Sequence, residues 1–113
     1  MKMANKQISY EVSEKNGWTV WAIVGSMDII TSPEAEEKGS QVLANGTKIV
    51  ADLSRLEYVS SAGLRVLLRL AKQAKKEGKE FALVAAPQGM VANLLRESRI
   101  DMLVRMMDSL NEL

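Results

Sequence analysis

Two adjacent serines, Ser60 and Ser61, lie immediately before an amphipathic helical pattern that begins at Leu64. The unpaired backbone N–H groups at a helix start carry partial positive charge, so a phosphate esterified to either serine would be stabilised there. Ala62 and Gly63 have almost no side chain, which would let the active site of another protein approach closely. The simpler interpretation is that one of the serines only caps the helix, the usual role of serine at this position.

Other residues that could do chemistry form weaker patterns. Asp28 and Asp52 could act together as acid and base, but nothing in the sequence fixes their separation, so an enzyme is not expected. Four cations share one face of the second predicted helix, which favours a solvated surface over contact with an acidic partner or nucleic acid. These cations are Arg65, Arg69, Lys72 and Lys76.

The composition excludes several kinds of site. The 113 residues include no Cys and no His, so disulfides, thiol nucleophiles, Ser-His-Asp triads and histidine metal sites are impossible. A formal net charge of +1 is too balanced for a dedicated nucleic-acid binder. Residues 1–7 are polar, and the longest apolar stretch, residues 81–87, is too short to cross a bilayer. We therefore expect a cytoplasmic protein with no membrane insertion, no metal and no cofactor.

The first elements form an antiparallel hairpin in our interpretation. Residues 8–12 alternate between apolar and polar types, and residues 18–24 resume an apolar strand that Gly25 closes. Because side chains alternate along a strand, Trp18 and Trp21 are predicted to lie on opposite faces of the sheet.

A helix is predicted to begin within the sequence Thr31-Ser32-Pro33-Glu34 and to end at residues 45–46. Ser32 can cap this helix with Pro33 in the first helical position. Alternatively, Thr31 and Glu34 form a capping box.

The remaining chain alternates strands and helices. The predicted strands cover residues 48–53, 80–86 and 102–107, with helices from Leu64 to Gly78 and over residues 90–98. Residues 54–57 are predicted to form a loop. Asp108-Ser109 is predicted to cap a short final helix. The predicted buried stripe of the second helix consists of Leu64, Leu67, Leu68, Ala71 and Ala74. We therefore predict one α/β domain, residues 1–113, with the order β-β-α-β-α-β-α-β, a mixed sheet of four to five strands and helices mainly on one face.

Two sequence blocks resemble a known family. Val-Ser-Ser-Ala-Gly-Leu-Arg at residues 59–65, preceded by Ala-Asp-Leu-Ser at residues 51–54, is similar to the signature of STAS domains. More narrowly, it resembles the stand-alone bacterial anti-sigma factor antagonists. Gly25-Ser26-Met27-Asp28 followed by the helix start at residues 31–34 matches a second block of that family. The resemblance implies a STAS-like fold over essentially the whole chain.

The resemblance also suggests a phosphorylated residue. The central motif of the family is typically Asp-Ser-Ser/Ala-Gly-Leu, and the serine after the aspartate is phosphorylated. Alignment on Gly63 and Leu64 puts Ser61 at the phosphoacceptor position and Ser60 where aspartate is common. This departure removes a carboxylate and makes Ser60 a rival acceptor. Asp28 falls at an acidic position that the family has near this site, although it could equally cap local N–H groups.

The family implies a regulatory switch rather than an enzyme. The unmodified domain binds an anti-sigma factor that is also an ATP-dependent serine kinase, and thereby releases a sigma factor for transcription. Phosphorylation ends this complex, and a serine phosphatase restores the first form. The expected partner-binding residues are Asp28, Ser60, Ser61, Ala62, Gly63, Leu64 and Arg65.

Two alternatives remain open at this stage. STAS domains also resemble accessory subunits that dock on the ATPase of an ABC-type lipid transporter without phosphorylation. Direct nucleotide binding at residues 60–63 is a further alternative, but the sequence has no recognisable phosphate-binding loop.

Overall fold

The computed structural model describes residues 7–113 of the chain. The strands are β1 (Ile8–Lys15), β2 (Trp18–Met27), β3 (Lys48–Asp52), β4 (Leu56–Val59), β5 (Glu80–Val84) and β6 (Arg105–Met107). The α-helices are α1 (Ser32–Ala44), α2 (Ser61–Lys76) and α3 (Met90–Glu97). Two short 3-10 helices cover Ile100–Met102 and Leu110–Glu112. No helix in this part of the chain is long and apolar enough to span a membrane.

The six strands form one mixed sheet in the order β1-β2-β3-β5-β6, with β4 paired to β2. The predicted hairpin is confirmed, because β1 and β2 are antiparallel, whereas every other pair is parallel. The α/β class is also confirmed, but the predicted count of four to five strands is one short. The additional strand is β4, whose residues fall in the predicted loop and in the segment that leads to α2.

Strand β2 is shared by two parallel neighbours. Its residues Thr19 to Ala22 pair with β3, whereas Gly25 to Met27 pair with β4, and the register of this second pairing shifts between Gly25 and Ser26. The prediction that Gly25 closes this strand is therefore wrong by two residues. Because of this extension, Met27 lies beside the last residue of β4, at the end of the sheet where α2 begins.

The main core lies between the sheet and the three α-helices, which all pack on one face as predicted. Trp21 and Met27 are buried in this core, whereas Trp18 is buried in a smaller cluster on the opposite face. The predicted division of the two tryptophans between the faces is thus confirmed. The segment that includes Leu110 packs against the smaller cluster. The hydroxyl of Ser109 caps this last 3-10 helix by accepting a hydrogen bond from the N–H of Asn111 (2.9 Å).

The start of α1 differs from both predicted arrangements. Neither the hydroxyl of Thr31 nor that of Ser32 caps the helix. The Thr31 hydroxyl donates to the carbonyl of Ser26 (2.9 Å) and accepts from the N–H of Asp28 (2.9 Å). The Ser32 hydroxyl donates to the Asp28 carbonyl. These side chains tie the loop to the end of β2 instead, and Pro33 lies in the first helical turn as predicted.

The buried face of α2 is rotated relative to the prediction. Leu67 and Ala74 are fully buried, but the other buried positions are Gly63, Val66 and Leu70. The predicted core residues Leu64, Leu68 and Ala71 are only half-buried. The rotation follows from packing against α1, since Gly39 of α1 brings that helix close to Leu70.

Candidate functional site

Ser60 is held firmly at the start of α2. It has an extended backbone, and its Oγ accepts a hydrogen bond from the N–H of Gly63 (3.3 Å). Its own N–H donates to the carbonyl of Met27 (2.8 Å), and its carbonyl accepts from the N–H of Leu64 (2.9 Å). Ser60 is therefore the helix cap, one of the two roles foreseen for these serines.

Ser61 is the first residue of α2 and is exposed. Within residues 7–113, its hydroxyl forms no hydrogen bond, in contrast to that of Ser60. Ser61 borders a cavity of about 210 Å³ that lies between the first half of α2 and the segment after α3. The other residues that line this cavity are Leu64, Arg65, Leu68, Ser98, Ile100 and Leu103. The Ser61 hydroxyl is accessible and available for chemistry.

Gly63 is buried, and its lack of a side chain lets α2 approach the sheet. A Cβ atom at this position would lie 2.7 Å from Cγ2 of Val59, 2.9 Å from Cβ of Met27 and 3.0 Å from the carbonyl oxygen of Met27. The predicted role of Gly63 is the close approach of a partner's active site, whereas the close contact in the structure is internal. Gly63 shapes the site by fixing the depth at which Ser60 and Ser61 are held.

Asp28 organises the loop that follows β2. Its Oδ1 accepts hydrogen bonds from the N–H groups of Ile30 (2.9 Å) and Thr31 (2.9 Å) and lies 3.2 Å from the Thr31 hydroxyl. The bond from the Thr31 N–H contributes most to holding the pKa of the Asp28 carboxyl below its ordinary value. These hydrogen bonds are the local capping role predicted for Asp28. Asp28 also follows Met27, whose carbonyl accepts the hydrogen bond from the N–H of Ser60, so this cap lies at the edge of the site.

We expect the pH dependence of stability to reveal this role of Asp28. Because its pKa is lower in the folded protein, Asp28 stabilises the fold above the ordinary pKa of 3.8, and this stabilisation is lost as the pH falls through the folded-state value. Asp28→Ala should lower the free energy of unfolding at pH 7, and its difference from the wild type should shrink below about pH 4. Urea denaturation of both proteins between pH 3 and pH 7 measures this difference.

The matched control is Asp28→Asn, which keeps an oxygen acceptor for the two N–H groups but does not titrate. It should be more stable than Asp28→Ala at pH 7. A difference between Asp28→Ala and the wild type that stays constant from pH 7 to pH 3 would contradict the role assigned to the charged carboxylate.

Asp52 does not join Asp28. It is aligned with Ala22 in the pairing of β2 and β3, whereas Asp28 lies six residues beyond Ala22. At the rise of a β-strand this separation is roughly 20 Å. The Asp52 carboxylate instead accepts a hydrogen bond from the N–H of Ser54 (3.0 Å). The possible acid–base pair of Asp28 and Asp52 is therefore wrong.

Exposed apolar side chains border the Ser61 turn on both sides. Ile29, in the loop after Asp28, is 77% exposed and lies near Ala62, and Leu103 is 67% exposed on the other side. A second cavity of about 340 Å³ lies between α1 and α2 and is bordered by Ile29, Ala62 and Arg65. Ile29 was not among the predicted site residues, although two consecutive β-branched residues in a loop, Ile29 and Ile30, were a usable signal. The site thus presents a hydroxyl between two apolar borders.

The expected partner-binding residues differ in exposure. Ser61 and Arg65 are exposed, whereas Asp28, Ser60, Ala62 and Leu64 are half-buried and Gly63 is buried. Arg65 borders both cavities. Of the other cations on this helix, Arg69 forms an ion pair with Glu36 (3.2 Å), while Lys72 and Lys76 are exposed. The surface available to a partner is therefore centred on Ser61 and Arg65.

Comparisons with known proteins agree on a family. A family model described as "Mlab, STAS domain" matches residues 11–105. The anti-sigma-F factor antagonist RsfB of Mycobacterium tuberculosis is 36% identical over 83 residues, which cover 73% of this chain and 67% of RsfB. The structure of an anti-sigma factor antagonist from Mycobacterium paratuberculosis has a TM-score of 0.82 and 25% identity, covering 93% of this chain and 89% of that protein. The phosphorylated form of the Bacillus cell fate determinant SpoIIAA shares the fold, with a TM-score of 0.67, 18% identity and coverage of 92% and 94%.

Proposed function

This chain belongs to the STAS domain family and is an anti-sigma factor antagonist by homology, and from this premise we propose that phosphorylation of Ser61 controls its binding to an anti-sigma factor. The observation that carries the proposal is the contrast between the two serines. The Ser60 hydroxyl caps α2, whereas the Ser61 hydroxyl is exposed at the first helical position. A kinase can therefore reach Ser61 without opening the fold.

The surroundings of Ser61 suit a phosphate once it is attached. The N–H groups at the start of α2 carry partial positive charge, which stabilises a dianion within the domain. Arg65 lies one helical turn further on and borders the same cavity as Ser61. Its guanidinium can pair with the phosphate, because residues four apart are neighbours on a helix. Modification should therefore leave the domain folded and change only its surface.

In the proposed cycle the unmodified protein binds an anti-sigma factor that is also an ATP-dependent serine kinase. This binding frees a sigma factor to act in transcription in the cytoplasm. The kinase then phosphorylates Ser61 and the complex dissociates, after which a metal-dependent serine phosphatase restores the hydroxyl. In this cycle the chain is a regulatory binding protein and not an enzyme, and it makes no direct contact with nucleic acid.

The proposed binding surface combines the Ser61 turn with its apolar borders. Ser61, Ala62, Leu64 and Arg65 supply the centre, while Ser60, Gly63 and Asp28 set its shape through their hydrogen bonds and packing. Ile29 adds exposed apolar area beside this centre. Burial of such side chains supplies binding free energy at roughly 25 cal/mol per Å² removed from water.

Mapping the phosphate tests the proposal directly. We expect incubation with the cognate kinase and ATP to add one phosphate to Ser61, detected by tandem mass spectrometry of the peptide. Ser60→Ala should still be phosphorylated, whereas Ser61→Ala should remain unmodified. Phosphate found on Ser60 in the wild type would overturn the choice of acceptor, and phosphorylation of Ser61→Ala at an unchanged rate would overturn the site.

The serine at position 60 favours a second candidate function. Where the phosphorylated motif of the family has aspartate, this chain has a helix cap with no carboxylate. The same surface could then dock on the ATPase of an ABC-type lipid transporter without phosphorylation. Affinity capture with the wild type, followed by mass spectrometry, separates the two candidates. Recovery of an ATP-binding-cassette subunit would favour this function, and recovery of a kinase-type anti-sigma factor would favour the first.

A further inference from the structure

A groove on the far side of α2 from α1 combines an apolar floor with a cationic rim. It lies between α2, β5 and the segment that precedes β6, and its volume of about 380 Å³ falls in the range of small-molecule sites. The apolar residues that line it are Leu68, Ala71, Phe81, Leu103 and Val104. Leu103 is 67% exposed, and Leu68, Ala71 and Phe81 are half-buried, so part of this floor faces solvent.

Four cations form the rim, namely Lys72, Lys75, Lys79 and Arg105. Lys79 is already engaged, because its Nζ donates to the carbonyl of Leu43 and lies 3.5 Å from the Glu77 carboxylate. Across residues 7–113, the other three cations form no ion pair. The lining residues include no Asp or Glu among the described positions. Clustered charges of one sign beside low-dielectric walls create a positive potential that attracts anions.

We propose that this groove binds an amphiphilic carboxylate, with its headgroup on the cationic rim and its hydrocarbon chain on the apolar floor. A carboxylate can form charge-assisted hydrogen bonds with Lys72, Lys75 and Arg105, and the Arg105 guanidinium can bind both oxygens. The chain then covers Phe81 and Leu103, which removes their apolar surface from water. The carboxylate thus complements the cationic rim, and the hydrocarbon chain complements the apolar floor.

The dimensions of the groove favour a single hydrocarbon chain over a segment of a partner protein. A helix with its side chains is about 10 Å wide, so it would rest on the groove and could not enter a cavity of about 380 Å³. Leu68 and Leu103 border both this groove and the cavity at Ser61. A bound chain therefore extends along α2 towards the start of the helix. The proposal itself depends only on the groove and not on the function of Ser61.

Titration calorimetry of the full chain with decanoate below its micelle concentration tests the proposal. We expect saturable binding of one decanoate per chain. The affinity should rise from octanoate to decanoate by up to about fourfold per added methylene, since each buried CH₂ contributes to transfer from water. Decanol and decyltrimethylammonium share the chain but lack the anion, and they should bind at least tenfold more weakly.

Substitutions in the groove separate its two parts. The double variant Lys72→Glu, Arg105→Glu should weaken decanoate binding at least tenfold, because it reverses two of the four charges of the rim and cancels its net charge. Lys76→Glu reverses one charge on the helix that carries Lys72, but outside the groove, and should bind normally. Leu103→Ser, at an exposed position, should reduce the advantage of decanoate over octanoate.

Three results would overturn the proposal. The first is equal affinity for decanol and decanoate, which would mean that the rim does not select an anion. The second is unchanged binding by the folded double variant, with folding verified by circular dichroism. The third is a concentration-dependent dimer in sedimentation that the double variant abolishes, which would make the groove a contact between two copies of the chain.

Discussion

Phosphorylation of Ser61 is expected to weaken binding to the anti-sigma factor roughly a thousandfold. The modification adds about −1.5 to −2 charges at pH 7 to an exposed position that is neutral in the unmodified protein. Burying that charge against a partner surface shaped for a hydroxyl costs about 4 kcal/mol, which corresponds to this change in dissociation constant. Within the domain the start of α2 tolerates the charge, so the loss arises at the interface and not from unfolding.

Serine variants measure this effect without the kinase reaction. Ser61→Asp carries a single negative charge and should bind about a hundredfold more weakly, whereas Ser61→Ala should bind within a few fold of the wild type and resist inactivation by ATP. Ser13→Asp adds the same charge on the exposed strand β1 and serves as the control. Surface plasmon resonance with the immobilised anti-sigma factor gives the four affinities. Equal affinities for Ser61→Asp and Ser13→Asp would show that Ser61 lies outside the interface.

Gly63→Ala is expected to destabilise the protein by about 2 kcal/mol, within the range for overpacked positions. Helix propensity alone gives the opposite sign, because alanine is favoured over glycine in a helix by roughly 1 kcal/mol. The added Cβ would meet the Met27 carbonyl oxygen and Cβ at 3.0 and 2.9 Å, and these atoms belong to a paired strand that cannot easily move. The sign of the change therefore decides between packing and propensity.

Urea denaturation followed by circular dichroism measures this change. The control is Gly89→Ala at the cap of α3, where an added Cβ would approach its nearest neighbour only to 3.4 Å. We expect this control to lose less than about 1 kcal/mol, the usual difference between glycine and alanine at a cap. A Gly63→Ala protein as stable as the wild type would mean that α2 does not approach β2 as closely as the structure indicates.

Local patterns predicted most of the elements correctly. Alternation in residues 8–12 and apolar spacing in the three helices are patterns among residues close together in the chain. The hairpin, α1 and α3 therefore lie close to their predicted bounds. Strand β4 was not predictable in this way. Its two central residues, Glu57 and Tyr58, are both exposed, so the four-residue strand shows no alternation. Its pairing with β2 depends on a shift of register that only the folded sheet reveals.

The candidate site was predictable in its residues but not in its geometry. The residue types around Ser60 and Ser61 indicated a helix start and a possible phosphorylation site, but either serine could have been the residue that caps the helix. The hydrogen bonds of Ser60 to Met27 and Gly63 distinguish the role of Ser60 from that of Ser61. The bond to Gly63 is local, but Met27 lies more than thirty positions away in the chain. Likewise, the burial of Gly63 and the rotation of α2 depend on contacts with β2 and α1. The periodicity of a single helix does not predict these contacts.

The order of strands in the sheet has a consequence for how the protein folds during synthesis. When the short β4, which pairs with β2, is set aside, each strand lies beside the one that precedes it in the chain. Pairing can therefore advance in the direction of translation, and each new unit adds to an edge that already exists. Each parallel pairing still closes the loop of one crossover, but no pairing has to join strands from opposite ends of the chain. We expect the ribosome-bound chain to acquire protease resistance progressively from its N-terminal hairpin onwards.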